Sequence, residues 1–223
     1  MNFLTKISKP AGSFALIAEI KLKSPTEGDL GTSSDVAEIA KQYQEGGVDA
    51  LSVVTEKNLF GGNLKLIQRI KKVGNLPIIC KDFVTDERKL REIADAGADA
   101  VLLLARLLDD RQLKSFSQTA IKCKMLPVIE ADNLIDLKRM ITGKYPVVAV
   151  NARNLGDLSV NRKRACRMLE MIPEKVFKLA FSGVRDVRDI KNYLNCGAKG
   201  VLIGTTLMKS DKRSELIRKF KKI

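Results

Sequence analysis

The chain has 223 residues, 45% of them hydrophobic, and 40 lysine and arginine residues against 26 acidic ones give a formal net charge of +14. This length and composition are typical of one large globular domain, and no apolar stretch approaches the roughly 20 residues of a membrane span. Histidine is absent, which excludes Ser-His and Cys-His nucleophiles and the usual zinc ligands, so acid–base chemistry falls to Lys, Glu, Asp, Tyr or Cys.

The four cysteines are scattered along the chain without a CxxC pair: Cys80, Cys123, Cys166 and Cys196. In a chain of this length the pattern predicts buried or incidental thiols rather than a disulfide framework or a metal site. The short apolar run at residues 14–18 does not resemble a secretory signal. We therefore expect a cytoplasmic protein with no membrane association.

The excess positive charge admits three interpretations. A nucleic-acid binder should cluster its basic residues beside aromatic ones, but aromatics make up only 5% of this chain and the basic residues are spread widely. The second interpretation is a lysine-rich solvated surface that binds no partner, and the third is an electrostatic field that attracts anionic substrates. These two interpretations are compatible with each other. We expect no nucleic-acid partner, and we interpret residues 213–222 as the solvated face of a last helix.

Eight short apolar runs rich in β-formers alternate with polar stretches of helical periodicity. The runs lie at residues 16–21, 50–54, 77–81, 100–104, 127–130, 147–151, 178–182 and 200–204. Three of the intervening helices are predicted to end on left-handed glycines, Gly47, Gly97 and Gly197. Predicted N-caps are Ser34, Asp86 and Asp132.

Eight strand–helix units fit either a doubly wound open sheet or a closed barrel. The chain has no GxGxxG or GxxxxGK[ST] loop and no composition break or linker. We therefore predict one α/β domain over residues 1–223, a single (β/α)8 TIM barrel, whose site lies at the carboxyl ends of the strands.

Polar residues follow these predicted strands. Glu19 and Lys21 share one face of the first strand because side chains alternate, and Lys81 and Glu130 end the third and fifth strands. A charge beside a barrel core is costly unless paired, so we expect the two lysines and two glutamates to converge and to shift each other's pKa values. Further polar and small residues end the later strands: Asn151, Arg153, Ser182, Gly183, Gly204 and Thr205. Those after the seventh and eighth strands are small and precede predicted helices, so their backbone N–H groups could bind a phosphate.

Several of these segments resemble indole-3-glycerol phosphate synthases. The segment Glu19–Pro25 is similar to that family's EIKxxSP motif, and four further stretches follow in family order, at residues 51–62, 81–83, 151–155 and 182–204. The resemblance covers nearly the whole chain. It implies ring closure of 1-(2-carboxyphenylamino)-1-deoxyribulose 5-phosphate with loss of CO2 and water, a carboxy-lyase reaction of tryptophan biosynthesis that needs neither cofactor nor metal.

The same resemblance implies roles for the matching residues. Lys81 would be the general acid that protonates the substrate ketone oxygen, and Glu130 the acid–base group of the later dehydration. Lys21 would hold the anionic substrate and assist proton transfer, oriented by Glu19, so that these two residues belong to the catalytic set as well. Asn151 and Ser182 would contact the substrate hydroxyls and the ring region, with Arg153 supporting them. Ser24, Pro25 and Phe60 would surround the anthranilate ring. The phosphate would be bound by Gly183, Gly204 and Thr205.

Three departures from the family pattern stand out. Only about fifteen residues precede the first strand, where the family carries a longer extension that covers the barrel mouth; Leu22 stands where arginine is usual, and Phe181 where the family has glutamate. We therefore expect weaker substrate binding or slower turnover than in fuller members. The resemblance leaves the oligomeric state open between a monomer and a weak homo-oligomer.

Two alternative functions compete with this one. A phosphoribosylanthranilate isomerase would share the fold. That family is expected to carry a Cys base after strand one and an Asp acid at strand six, whereas this chain has Glu19 and Lys21 after strand one and Asn151 at strand six. A non-catalytic barrel that binds a phosphorylated ligand or an anionic polymer is favoured by the lost acidic and basic groups. Retention of both Lys81 and Glu130 argues against it.

Overall fold

Eight parallel strands close into a barrel in the computed structural model, which describes residues 3–223. The barrel strands are Ala15–Ile20, Ala50–Val54, Ile78–Lys81, Ala100–Leu104, Leu126–Ala131, Val147–Asn151, Phe177–Phe181 and Gly200–Ile203. Each strand pairs with its neighbours in chain order, and the first also pairs with the eighth through Ala18 and Ile203. The predicted (β/α)8 TIM barrel is confirmed, and all eight predicted apolar runs are strands.

A helix follows each of the strands around the outside of the barrel, and a further helix precedes the first strand. They are Phe3–Ser8, Val36–Gly46, Lys65–Lys71, Glu87–Asp95, Asp110–Lys122, Leu134–Gly143, Arg162–Met171, Val187–Asn195, Thr205–Met208 and Arg213–Lys221. A two-stranded hairpin, Lys23–Ser24 with Gly28–Asp29, follows the first barrel strand. Among residues 3–223, no helix combines the length and apolar character needed to cross a bilayer.

Strand alternation divides the apolar residues between two layers. The inner layer fills the barrel with residues such as Ile17, Ile79 and Leu179, and the outer layer packs strand residues such as Leu51 and Val53 against the helices. Because the inner layer fills the barrel below the strand ends, the barrel is a packed core rather than a pore.

The first helix lies at the amino-terminal end of the barrel. Phe3 and Ile7 are fully buried in the inner layer together with strand-start residues such as Ala15 and Ala50. Ala11 N–H then donates to Asp49, the residue before the second strand. This helix therefore closes the end of the barrel opposite to the strand carboxyl ends.

The helix boundaries confirm the predicted glycine ends and one of the predicted N-caps. Gly47, Gly97 and Gly197 have φ of 90°, 95° and 87°, the left-handed conformation that glycine adopts without a Cβ clash. Asp86 is an N-cap as predicted, its side chain accepting from Arg88 N–H.

The other two predicted N-caps are wrong by one residue. Asp35 precedes the second helix, where Ser34 was predicted, and its carboxylate accepts from Thr32 instead of capping the helix. Asn133 caps the sixth helix by accepting from Asp136 N–H, where Asp132 was predicted. In both pairs the neighbouring residues are polar, so local sequence does not distinguish them.

The prediction of unpaired thiols is wrong for one pair of cysteines. Cys166 and Cys196 form a disulfide between the helices that follow the sixth and seventh strands. Cys80 is free and buried, and Cys123 is free and half-buried, as predicted. The two bonded residues are 30 positions apart, and only the packing of adjacent helices brings them together.

Candidate active site

A cavity of about 260 Å³ opens at the carboxyl ends of the strands. It is lined by every residue that the sequence predicted for the site: Glu19, Lys21, Ser24, Pro25, Phe60, Lys81, Glu130, Asn151, Arg153, Ser182, Gly183, Gly204 and Thr205. The barrel brings them together because parallel strands all end at the same mouth.

Glu19 lies at the centre of the charged cluster. Its Oε2 is 3.0 Å from Lys81 Nζ and its Oε1 is 3.1 Å from Lys21 Nζ, while the side chain is only 4% exposed. Burial opposes ionisation of this carboxyl, but the charges of Lys81 and Lys21 outweigh it and hold the pKa of Glu19 at about 2. Glu19 is thus a buried anion between two cations.

Lys81 also faces an aromatic ring. Its Nζ lies 5.6 Å from the ring centroid of Phe181, at cation–π distance. Burial lowers the pKa of the Lys81 ammonium, but attraction by Glu19 and Glu130 exceeds this effect, so the pKa ends above its ordinary value. Lys81 is therefore protonated at neutral pH.

Glu130 has a different environment from Glu19. Its Oε1 accepts a hydrogen bond of 2.9 Å from Asn151 Nδ2, whereas Oε2 is buried without a hydrogen-bond partner among residues 3–223. Burial raises the pKa of Glu130 more than Lys81 and Asn151 lower it. Within the same described residues Glu130 forms no ion pair, so the expected mutual pairing of two lysines and two glutamates is only half right.

The strand-six end and its loop are built by local hydrogen bonds. Asn151 Oδ1 accepts from Arg153 N–H at 3.0 Å, and Arg153 Nη1 donates to Leu158 O at 2.7 Å. The Arg153 guanidinium thus braces its own loop while lining the cavity. The bond that Arg153 makes to Leu158 lies within its own loop, and its expected support of the substrate-binding network stays a prediction.

The last two strands end in close-packed backbone. Ser182 and Gly183 both have positive φ, 66° and 80°, and a Cβ on Gly204 would lie 2.3 Å from Glu19 Oε1. Glycine at position 204 therefore lets the backbone approach the charged cluster. Thr206 Oγ1 donates to Val184 O at 2.6 Å and ties the two loops together.

Of the two loops expected to bind phosphate, one leads directly into a helix and the other does not. The short helix Thr205–Met208 begins directly after Gly204. The helix after strand seven begins only at Val187, and its first amides are already capped by the Asp186 carboxylate. An anion near Gly183 would therefore depend on loop amides rather than on that helix.

Sequence reasoning missed several cavity residues. Most are apolar or lie in loops, and they include Leu102, Leu104, Leu155, Leu158, Val160, Phe83, Glu56, Glu27 and Arg185. Leu102 and Leu104 share the inward face of the fourth strand with Ala100, so the period-two pattern was a signal that could have found them. The loop residues had no such signal, since their position depends on how each loop folds over the mouth.

Comparisons with known proteins decide the family. A family model described as indole-3-glycerol phosphate synthase matches residues 1–220. A protein of that name from Sulfurisphaera tokodaii is 38% identical over 204 residues, covering 91% of this chain and 82% of the relative. The chain belongs to the indole-3-glycerol phosphate synthase family. A further relative of the same name, from Arthrobacter sp. (strain FB24), is 36% identical over 205 residues, covering 92% of this chain and 75% of its own.

Solved structures outside the family share the fold alone. A 3-hexulose-6-phosphate synthase from Salmonella typhimurium superposes with a TM-score of 0.76 at 16% identity, covering 93% of this chain and 97% of that one. A second 3-hexulose-6-phosphate synthase gives a TM-score of 0.74 at 17% identity, covering 93% and 98%. These likenesses confirm the barrel and say nothing of chemistry.

Two side chains differ from those expected of an indole-3-glycerol phosphate synthase, and the structure shows where they lie. Leu22 is 8% exposed and packs in the outer apolar layer rather than in the cavity lining. Phe181 is fully buried in the barrel interior beneath Lys81. The substitution of Phe181 therefore changes the environment of a charged cavity residue, whereas Leu22 contributes to packing.

Proposed function

We propose that this protein is a carboxy-lyase that converts 1-(2-carboxyphenylamino)-1-deoxyribulose 5-phosphate to indole-3-glycerol phosphate, CO2 and water in tryptophan biosynthesis. The observation that carries the proposal is the placement of Lys81 and Glu130 at one mouth of the barrel, in a cavity with Glu19 and Lys21. Family membership supports the same reaction.

The protonation states suit the two chemical steps. Lys81 holds its proton at neutral pH and can donate it to the ketone oxygen as the ring closes. Ring closure turns the ketone oxygen into a hydroxyl group, loss of CO2 restores the aromatic ring, and the hydroxyl group is then expelled as water. Glu130, whose pKa is raised and whose Oε2 is free to face a ligand, is suited to move protons in that dehydration.

The remaining cavity residues would bind and orient the substrate. Lys21, kept beside Glu19, meets the substrate's negative charge, and Asn151 and Ser182 contact its hydroxyls and ring region. Ser24, Pro25 and Phe60 surround the anthranilate ring, with Arg153 in support. The phosphate lies on the backbone of Gly183, Gly204 and Thr205. The proposal includes no cofactor, one catalytic domain over residues 1–223, and a cytoplasmic monomer or weak homo-oligomer.

A fluorescence assay for indole-3-glycerol phosphate tests this function. We expect product from the wild type and a loss of kcat of about 10²–10⁴-fold in Lys81→Ala and in Glu130→Gln, the range for removal of a general acid or base. Lys71→Ala is a matched control, because this lysine pairs with Asp99 at the amino-terminal end of the barrel. It should leave kcat unchanged.

Two results would contradict the proposal. Absence of product from the wild type at high substrate concentration would reject the synthase function, and salt-dependent binding of an anionic polymer would then favour the non-catalytic barrel. Unchanged rates in both Lys81→Ala and Glu130→Gln would reject the assignment of the acid–base pair while leaving the reaction itself intact.

A further inference from the structure

One carboxylate ties together the loops after three consecutive strands. Asp132, which follows the fifth strand and is 4% exposed, accepts from Arg106 Nη1 at 3.0 Å and from Leu155 N–H at 2.8 Å, both through Oδ2. Its Oδ1 accepts from Asn133 Nδ2 at 2.9 Å. Arg106 follows the fourth strand and Leu155 the sixth, so this contact bridges the mouth of the barrel.

The loop held by this contact is a small hairpin, residues 153–160. Arg153 and Val160 form an antiparallel bridge, Asn154 N–H donates to Ser159 O at 2.9 Å, and Leu158 N–H donates to Asn154 O at 2.8 Å. The hairpin is thus bonded mainly to itself, and it covers the cavity through Arg153, Leu155, Leu158 and Val160. Its position over the mouth depends on a tie to a neighbouring loop.

We propose that Asp132, anchored by Arg106, is a positioning residue that clamps the 153–160 hairpin over the cavity so that Arg153 and Leu155 meet the substrate. A hydrogen bond to a carboxylate is stronger than one between neutral groups, and the ion pair with Arg106 holds the Asp132 side chain in place. The inference rests on the proposed function for its kinetic part only.

The same charge also acts on the proton-transfer group. Glu130 lies in the fifth strand, and Asp132 follows two residues later, just beyond the strand end. Burial raises the pKa of Glu130, Lys81 and the Asn151 amide lower it, and the charges of Asp132 and Glu19 raise it further. Asp132 thereby links the position of the hairpin to the ionisation of Glu130.

Two variants separate these effects. Asp132→Ala removes the acceptor, so amide hydrogen exchange at Leu155 should accelerate by about tenfold or more and KM should rise more than kcat falls. Asp132→Asn keeps an oxygen that can accept from Leu155 N–H but removes the charge. It should partly restore the slow exchange and the KM, and should move the acid limb of the pH–rate profile to lower pH.

Asp99→Asn is the matched control. The Asp99 carboxylate makes the same two kinds of contact, accepting from Lys71 Nζ at 2.6 Å and Ile78 N–H at 2.8 Å, but at the opposite end of the barrel. This variant should lower stability without altering exchange in the hairpin or the pH profile. The clamp is rejected if Asp132→Ala leaves Leu155 exchange and KM at wild-type values, and the effect of Asp132 on Glu130 is rejected if Asp132→Asn leaves the pH–rate profile unchanged. A wild type without product would reject the proposed function, while the exchange experiment would still decide the clamp.

Discussion

Glu19 is a buried acid whose ionisation is maintained by neighbouring lysines, and this placement affects stability as well as chemistry. The pKa of Glu19 in the folded protein is about 2, against an ordinary value of 4.5. A depressed folded-state pKa contributes stability that is present above the unfolded value and is lost as pH falls through the folded value. Glu130 acts in the opposite sense, since its raised pKa favours the folded state at low pH.

Acid titration of stability tests the state of Glu19. We expect the wild type to exceed Glu19→Gln in free energy of unfolding by about 3 kcal/mol at pH 6, the linkage value for a shift of this size. That advantage should shrink between pH 5 and pH 2, as the carboxyl becomes protonated in both states. Urea unfolding at several pH values measures it. A difference that does not change with pH would show that Glu19 is not stabilised as an anion.

Phe181 offers a test of the departure from the family pattern. Phe181→Glu would place a carboxylate beneath Lys81, where the resemblance leads one to expect it. We expect kcat/KM to rise several-fold, and the stability to fall by about 3 kcal/mol because a fully buried apolar side chain is lost. Steady-state kinetics and urea unfolding measure the two effects.

Phe181→Gln is the control for that substitution, because glutamine has nearly the same size as glutamate but carries no charge. It should lose stability without gaining activity. A kcat/KM that falls in Phe181→Glu would mean that the ring itself is adapted to this cavity.

At the scale of elements, the turns from helix to strand carry a repeated stabilising contact. Asp49 precedes the second strand, and its carboxylate accepts from Leu16 N–H at 2.8 Å in the first strand; Asp99 accepts from Ile78 N–H in the equivalent way. Lys221, in the last helix, lies 2.7 Å from Asp49 Oδ2 and is 12% exposed. The contact therefore joins the last helix to the first two strands.

Removal of Asp49 should be among the more damaging single changes away from the cavity. Asp49→Ala removes the acceptor of the buried Leu16 amide and the negative partner of the largely buried Lys221 ammonium, so we expect a loss of about 3 kcal/mol in the free energy of unfolding. The urea midpoint should fall with an unchanged m-value. A loss below about 1 kcal/mol would show that water replaces the carboxylate readily.

Elements were also the level at which local sequence predicted best. The three glycines in left-handed conformation each follow a helix and precede a strand, and a local rule suffices to identify them. The N-caps at Ser34 and Asp132 were each misplaced by one residue because two polar residues stand side by side. Asp132 turned out to bind Arg106 and Leu155, which are 26 and 23 positions away.

At the scale of the whole molecule, the net charge of +14 should influence how an anionic substrate arrives. We expect kcat/KM to fall several-fold between low and high ionic strength, since salt screens long-range attraction over about 10 Å at 0.1 M. The kcat itself should change little, because the Glu19 cluster is buried. Steady-state kinetics across a salt series measures both, and a salt-independent kcat/KM would show that the surface charge has no steering role.

Local pattern by itself determined the eight strands, their alternation with helices and the charged residues at the strand ends. These features depend on side-chain periodicity and on backbone preferences within a few residues. The parallel order then follows, and with it the meeting of Glu19, Lys81 and Glu130 at one mouth, since all strands of such a barrel end on the same side.

Only the tertiary structure decided which groups touch. It paired Glu19 with both lysines, gave Glu130 an amide partner, joined Cys166 to Cys196 and placed the first helix at the closed end of the barrel. Each of these contacts joins residues from different elements. Its existence depends on the tilt and stagger of strands around the ring and on the fold of each loop, which no short stretch of sequence specifies.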